Sequence, residues 1–240
     1  MKIFLAATGD KGFIPNVSES KYLLESFYYF QDWQEPLLKT CKMFLLDSGA
    51  FTFMNGTGKT DFNEYLERYI YFIVKNDIKY FFELDVDSVC GYNNVLKLRQ
   101  KLEKQTGKKC IPVWHKSRGK EEFLKMCDEY DYVAIGGIVT KEITKEEYKF
   151  FPWLINEAHK RKCQIHGLGF TSLDDLKKYH FDSVDSTSWK SGGRFGQLHI
   201  YKNGTIKTIT QKNKHALYKK IDCNNFTQWL KFQKYAEKHL

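Results

Sequence analysis

The stretch KYFFELDVDSVCGYNNVLKLRQKLEKQTGKKCIPVWH, residues 79–115, reads as one strand–helix–strand unit. Two β-rich runs, Lys79–Val86 and Lys109–His115, flank Tyr92–Thr106, a segment with helical periodicity. Each run closes on polar residues, Asp85–Asp87 in the first and His115 in the second. The same alternation extends in both directions. Further β-rich runs fall at Lys2–Ala7, Lys42–Ser48, Tyr132–Ile138, Cys163–Phe170, Phe181–Thr187 and Gln197–Tyr201. Helical periodicity falls at Ser18–Lys39, Asp61–Asn76, Lys120–Tyr130, Thr144–Lys162 and Ser172–Tyr179. Thr144 with Glu147, and Ser172 with Asp175, have the spacing of capping boxes.

Strands that alternate with helices pair in parallel, and parallel sheets need both faces covered. The pattern predicts an α/β chain, a single (β/α)8 barrel domain over residues 1–240, with a doubly wound sheet as the rival. The polar and glycine clusters that end the strands favour the barrel, whose chemistry gathers at the C-terminal ends of its strands. They are Asp47-Ser48-Gly49, Asp85–Asp87, His115, Gly136-Gly137, His166–Gly169 and Asp185. HIYKNGTIKTIT reads as a hairpin about Asn203-Gly204, and Asn225–Leu240 as a closing amphipathic helix.

Composition narrows the classes. With 42% hydrophobic and 28% charged residues among 240, the chain is neither disordered nor collagen-like. Its apolar runs fall far short of the roughly 18–20 residues of a membrane span, and MKIFLAATGDKGF reads as a first strand rather than a signal peptide. A cytoplasmic protein is expected, with no membrane partner. The net charge of +9 permits a polyanionic partner. Only five of the 38 basic residues are arginine, so an AT-rich coding sequence explains the lysine excess equally well. Six scattered cysteines show no CxxC spacing, and neither a disulfide scaffold nor a metal site is expected. Nothing in the sequence calls for a cofactor.

The carboxylates carry the chemistry. Asp47, Asp85 (with Asp87) and Asp185 each end an apolar strand, where an acid is costly without a partner. Any one alone reads as a helix cap or a lysine's partner; three converging on one barrel mouth read as a site. Two carboxylates facing a substrate can divide the cleavage of a glycosidic bond, one at the sugar carbon and the other handling protons. Gly136-Gly137, Gly167 and Gly169 read either as tight turns or as bare backbone that a flat ligand approaches. Phe51, Trp114, Phe170 and Trp189 are candidates for stacking a base, against the alternative of core.

Five motifs in order then bring a resemblance. LDSGAF at Leu46–Phe51, ELDVDS at Glu83–Ser88, AIGGI at Ala134–Ile138, HGLGF at His166–Phe170 and DSVDSTSWKSGGRFGQ at Asp182–Gln197 follow the order seen in tRNA-guanine transglycosylases. In the last run, Asp182, Asp185, Arg194, Gly196 and Gln197 keep the spacing of that family's aspartate pair and R-x-G-Q turn. The chain resembles a small, zinc-less member of the superfamily, nearest to its DpdA-like, DNA-acting branch. The resemblance implies Asp185 as nucleophile at the sugar C1′ and Asp47 as general acid/base. It implies Asp85 on the base edge, main-chain contacts from Gly136-Gly137, and Arg194 with Lys190 on phosphate. Ser48, Asp87, Trp114, His115, His166, Gly169 and Trp189 complete the expected substrate pocket, and Gln197 the nucleic-acid contacts. The substrate would be DNA, single-stranded or with its target nucleotide flipped out.

Two departures stand out. The family's zinc-binding subdomain, which goes with tRNA, has no counterpart after Gln197, and the strand that carries its guanine-reading glutamine here has Trp114 and His115. A base other than guanine is therefore expected. His115 reads equally as a core histidine. Two outcomes follow for the sugar intermediate. A free 7-deazaguanine base gives exchange; water gives a DNA glycosylase excising a modified phage base, an antiviral activity. The alternatives are a catalytically silent nucleic-acid-binding barrel, a tRNA-guanine transglycosylase, and a barrel enzyme on a small phosphorylated substrate.

Overall fold

In the computed structural model the residues described are 1–9, 17–50, 52, 61–210 and 218–240; the side chains of 193, 194 and 218 fall outside this set, as does Phe51. Eight parallel strands form one sheet: β1 (Lys2–Ala6), β2 (Tyr22–Ser26), β3 (Met43–Asp47), β4 (Tyr80–Phe81), β5 (Val113–Trp114), β6 (Tyr132–Ile135), β7 (Gln164–Gly167) and β8 (Ser183–Ser186). Strands adjacent in sequence pair except β4 and β5, which end the sheet, and β8 returns to β1 through Phe4 opposite Asp185. The parallel bridge between Phe82 and Ile111 joins the β4 and β5 sides. The sheet thus curls into the expected (β/α)8 barrel-like fold.

Alternation sorts the side chains, since successive residues of a strand face opposite ways. Phe4, Ala6, Tyr22, Leu24, Leu45, Phe82, Ile111, Val113, Tyr132 and Ala134 fill the interior as one buried cluster. Their neighbours, such as Leu5, Leu23, Leu46 and Val133, belong to the larger core against the helices. Strands buried on both faces read as continuous apolar runs. This explains why the sequence marks them so plainly.

The helices over β3 to β8 lie close to their expected places: α2 (Phe62–Lys75), α4 (Tyr92–Thr106), α5 (Gly119–Glu129), α6 (Phe151–Lys160) and α7 (Leu173–Lys178), with short α3 (Asp87–Cys90) ahead of α4. Asp61 caps α2 by accepting from the N–H groups of Asn63 (2.9 Å) and Glu64 (3.2 Å). The Thr144–Glu147 capping box forms and opens a 3-10 turn over Lys145–Phe150. Ser172 makes no side-chain cap, so the second expected box is absent.

Two expectations are corrected. Ser18–Lys39 contains strand β2, followed by 3-10 turns and the one-turn α1 (Leu37–Thr40), in place of a helix. Tyr22–Ser26 is held by pairing on both sides, Leu23 opposite Leu5 and Leu24 opposite Leu45, and this tertiary pairing overrides the local helical pattern. Gln197–Tyr201 is not a barrel strand. It belongs to β9 (Gln197–Lys202), which pairs only with β10 (Thr205–Thr210) through the Asn203-Gly204 turn, both residues at positive φ. Its mixed exposure is the discriminating mark, for β6 and β8 are buried throughout.

The last helix, α9 (Tyr218–His239), covers β1 and part of β2, where the preceding connections supply no long helix among the described residues. Its buried Gln233 donates to the carbonyls of Ile3 (2.8 Å) and Tyr22 (3.0 Å) and accepts from the N–H of Lys21 (2.9 Å). Glu237 pairs with Lys21 and Lys42. Among the described residues no helix is long and apolar enough to cross a membrane.

Candidate active site

Asp47 closes β3 and Asp185 lies in β8, both on the inward-facing register at the C-terminal end of the barrel. Their environments differ. Asp185 is buried, and its Oδ1 accepts from the Gly169 N–H at 2.6 Å and from His166 Nε2 at 3.3 Å. His166 Nδ1 meets Ser183 Oγ at 2.7 Å, and Ser183 in turn meets the Tyr132 hydroxyl. These contacts link Tyr132, Ser183, His166 and Asp185 in one chain through the barrel interior. The His166 ring packs among Phe4, Phe82 and Tyr132, which fixes its plane. Gly169 holds φ +66°, a conformation that suits glycine and aims its N–H at the carboxylate.

Asp47 has the opposite balance. Burial pushes its carboxyl up to about 6, and the negative charges of Asp185 and Asp85 push the same way against the Gly49 N–H, which donates at 3.0 Å. A carboxyl poised there exchanges protons near neutrality. Gly49 itself sits at φ +80° with no room for a side chain beside Tyr28.

A second cluster occupies the β4–β6 side. His115 donates from Nε2 to Asp85 Oδ2 (2.7 Å) and from Nδ1 to Glu142 Oε2 (2.8 Å). Burial opposes its charge, but Asp85 and then Glu142 outweigh this and raise the imidazole to about 9. His115 is therefore a cation at neutral pH, with both ring nitrogens engaged. Burial also works against the Glu142 carboxylate, yet the Ser117 N–H and His115 hold it below the usual range. Arg118 Nη2 reaches Asp85 Oδ1 (3.1 Å) and Asp87 Oδ2 (3.0 Å), and Nη1 donates to the Val113 carbonyl and to Glu83 Oε1 (3.3 Å). Glu83, fully buried, also holds Arg99 at 2.6 Å. Asp85, Asp87 and His115 bring donor atoms within 4.8 Å of one another, a spacing that suits a metal ion. In this arrangement the Arg118 guanidinium joins the two aspartates.

The glycine pair follows from this cluster. A Cβ on Gly136 would lie 2.7 Å from His115 Cε1, and one on Gly137 would lie 2.8 Å from Glu142 Oε2. The Gly136 N–H is already bonded to the Trp114 carbonyl at 2.8 Å. The pair makes room for His115 and Glu142.

The two tryptophans are corrected as stacking residues. Trp114 faces the helices, donating to the Gly119 carbonyl (2.8 Å) and packing edge-on to Phe123. Trp189 is fully buried, donates to the Ala6 carbonyl (2.8 Å) and packs on Phe226. Phe170 is core as well. Ser48 is buried and offers its carbonyl to Tyr65. Asp182 sits at the opposite end of β8, accepting from the Ile165 N–H and His159. Lys190 lies in the turn after β8 over the Trp189 ring, and Gln197 opens β9. Arg194 lies in α8 (Ser191–Phe195), with its side chain outside the described residues.

Sequence reasoning missed Arg118, Glu142, Glu83 and Glu25. Arg118 is one of only five arginines and follows His115 by three residues, a signal that was available. Glu25 had none, because β2 itself went unseen. It is buried beside Thr8, whose backbone N–H (2.8 Å) and hydroxyl both donate to it, and burial raises its carboxyl to about 7. No family model matches the chain, and no curated protein matches it.

Proposed function

We propose that the barrel mouth cleaves the N-glycosidic bond of a nucleobase in DNA, as a base-exchanging transglycosylase or a DNA glycosylase. The observation that carries this reading is the unequal carboxylate pair, with Asp47 poised near pH 6 and Asp185 hydrogen-bonded by Gly169 and His166. The five motifs in family order and the net charge of +9 support it.

Asp185 would attack C1′ as the bond to the base breaks, and Asp47 would give its proton to the departing base. The sugar is left as an ester of Asp185. An incoming base or water then attacks C1′, returns a proton to Asp47 and frees the Asp185 carboxylate. His115 has no free ring nitrogen with which to replace a base-reading glutamine. Asp85 oxygens, each with a second lone pair, would meet the base edge in its place, held by His115 and Arg118.

The test is mass spectrometry of bases and DNA after incubation with unmodified DNA and with phage DNAs carrying deazaguanine or glucosylated cytosine, with and without free 7-deazaguanine bases. Release of a free base with alkali-labile sites identifies hydrolysis, and incorporation of the added base identifies exchange. Either should be lost in Asp185→Ala. Silence of wild type and variant across the panel removes the reading and leaves a nucleic-acid-binding barrel.

A further inference from the structure

Beside the mouth, the hairpin, α8 and the turns after β7 and β8 enclose a cavity of about 430 Å3. Neither Asp47 nor Asp185 lines it, but it adjoins Asp185 along the chain. Thr187 and Ser188 on its wall follow Asp185 by two and three residues, and Thr171 follows Gly169 by two. Two residues of chain span at most about 7 Å.

The lining combines neutral polar and apolar residues. Thr171, Thr187, Ser188, Ser191, Thr208 and Gln197 bring neutral polar side chains to the wall, and none of the described lining residues carries a formal charge. His199 is held neutral: its Nδ1 accepts from Trp229 Nε1 at 2.9 Å, so Nε2 carries the proton and donates to Ser191 Oγ at 3.0 Å. Burial lowers its pKa in the same sense. Ser191 Oγ, accepting from His199, keeps its own proton to donate. That arrangement excludes Ser191 as a nucleophile activated by His199, since the base is protonated on the nitrogen facing it. Phe195, 65% exposed, stands at the lip, while Ile206 and Trp229 form an apolar floor.

A flat aromatic lip, an apolar floor and a ring of neutral hydroxyls match a nucleoside, whose base stacks while its edges and sugar take hydrogen bonds. We infer that this cavity binds the nucleotide adjoining the target in the strand, with its base on Phe195 and its sugar among the hydroxyls. The inference rests on the DNA reading above for the identity of the strand. The cavity itself is tested without catalysis.

The probe is the Trp229 indole N–H signal in protein labelled on tryptophan nitrogen, titrated with thymidine and deoxyadenosine 5′-monophosphates, and with glucose as a plain sugar. The nucleotides should move it saturably at millimolar concentration, and glucose should not. Phe195→Ala, at an exposed position, should weaken nucleotide binding roughly 5- to 150-fold, the range for loss of one stacked base. Thr208→Tyr, filling the cavity from an exposed strand position, should abolish it. On DNA, both variants should raise KM with kcat retained. An unmoved signal, equal response to glucose, or wild-type binding by both variants overturns the inference. If bases are released normally while nucleotides leave Trp229 untouched, this inference alone falls. If nucleotides bind there but no base is ever released, the catalytic reading falls and the cavity remains a nucleotide site.

Discussion

Replacing His115 by glutamine tests the charge cluster directly, because glutamine keeps polar atoms near Asp85 and Glu142 but carries no charge. The imidazole rises from its ordinary 6.5 to about 9 between two carboxylates, and its side chain is only 13% exposed. A rise of about 2.5 units corresponds to about 3 kcal/mol at 1.36 kcal/mol per unit. The folded pKa lies above the unfolded one, so the folded state binds the proton more tightly. The contribution is therefore fully present below pH 6.5 and is lost as pH rises through 9.

Urea unfolding of wild type and His115→Gln at pH 6 and pH 9 reads this out. The stability gap should be about 3 kcal/mol at the lower pH and well under about 1 kcal/mol at the higher. For a chain of this length the first figure corresponds to roughly 6–12 °C in Tm. Glu25 and Asp47, whose carboxyls are raised to about 7 and about 6, also make stability pH-dependent, but they do so in both proteins and cancel in the difference. A gap that stays the same size at both pH values would refute the assignment of His115 as a buried cation.

Glu83→Gln should destabilise by about 3–5 kcal/mol in the same unfolding assay, because it leaves the nearly buried Arg99 guanidinium without its carboxylate. Adding Arg99→Met should recover much of that loss, and no recovery would place the cost elsewhere. Gly136→Ala should cost about 1–3 kcal/mol by driving a methyl into His115, and its gap to wild type should also narrow as pH rises; a loss under about 0.5 kcal/mol would contradict the packing. If Asp47 supplies the proton to the departing base, kcat should fall tenfold per pH unit above about 6, and Asp47→Asn should lose about 10²–10⁴-fold and flatten that limb.

What the sequence disclosed follows from what periodicity can record. Barrel strands buried on two faces leave apolar runs, and the helices between β3 and β8 leave their helical periodicity, so both were legible. β2 was not, because YLLES is short and sits within an aromatic run that suits a helix until β1 and β3 are present to pair with it. β9 was misassigned because an isolated hairpin strand has the composition of a sheet strand and differs only in its one-sided burial. The sequence marks the strand-end aspartates by position, and Asp47 and Asp185 lie at the same end of the barrel. Their unequal environments were not readable, since burial, Gly169 and His166 meet them only after folding. Trp114 was misread for a simpler reason: it is one residue before His115, and adjacent strand residues face opposite ways.

That alternation bears on how the site divides its work. On β5, Val113 and His115 point inward and Trp114 outward; on β8, Ser183 and Asp185 point inward and Val184 outward. The interior is apolar through its lower layers except for the chain from Tyr132 through Ser183 to His166, all of it hydrogen-bonded. Such a chain is costly to bury unless every member is satisfied, and it ends on one atom, Asp185 Oδ1. On the opposite side His115 and Arg118 place fixed positive charge next to Asp85. Asp47 lies near two acids without a cation bonded to it among the described residues, and burial with those charges drives its carboxyl up toward neutrality. A mouth built this way has one carboxylate held by N–H donors, one held by cations and one left to carry a proton. The double displacement proposed above would use the first as nucleophile and the third as proton carrier.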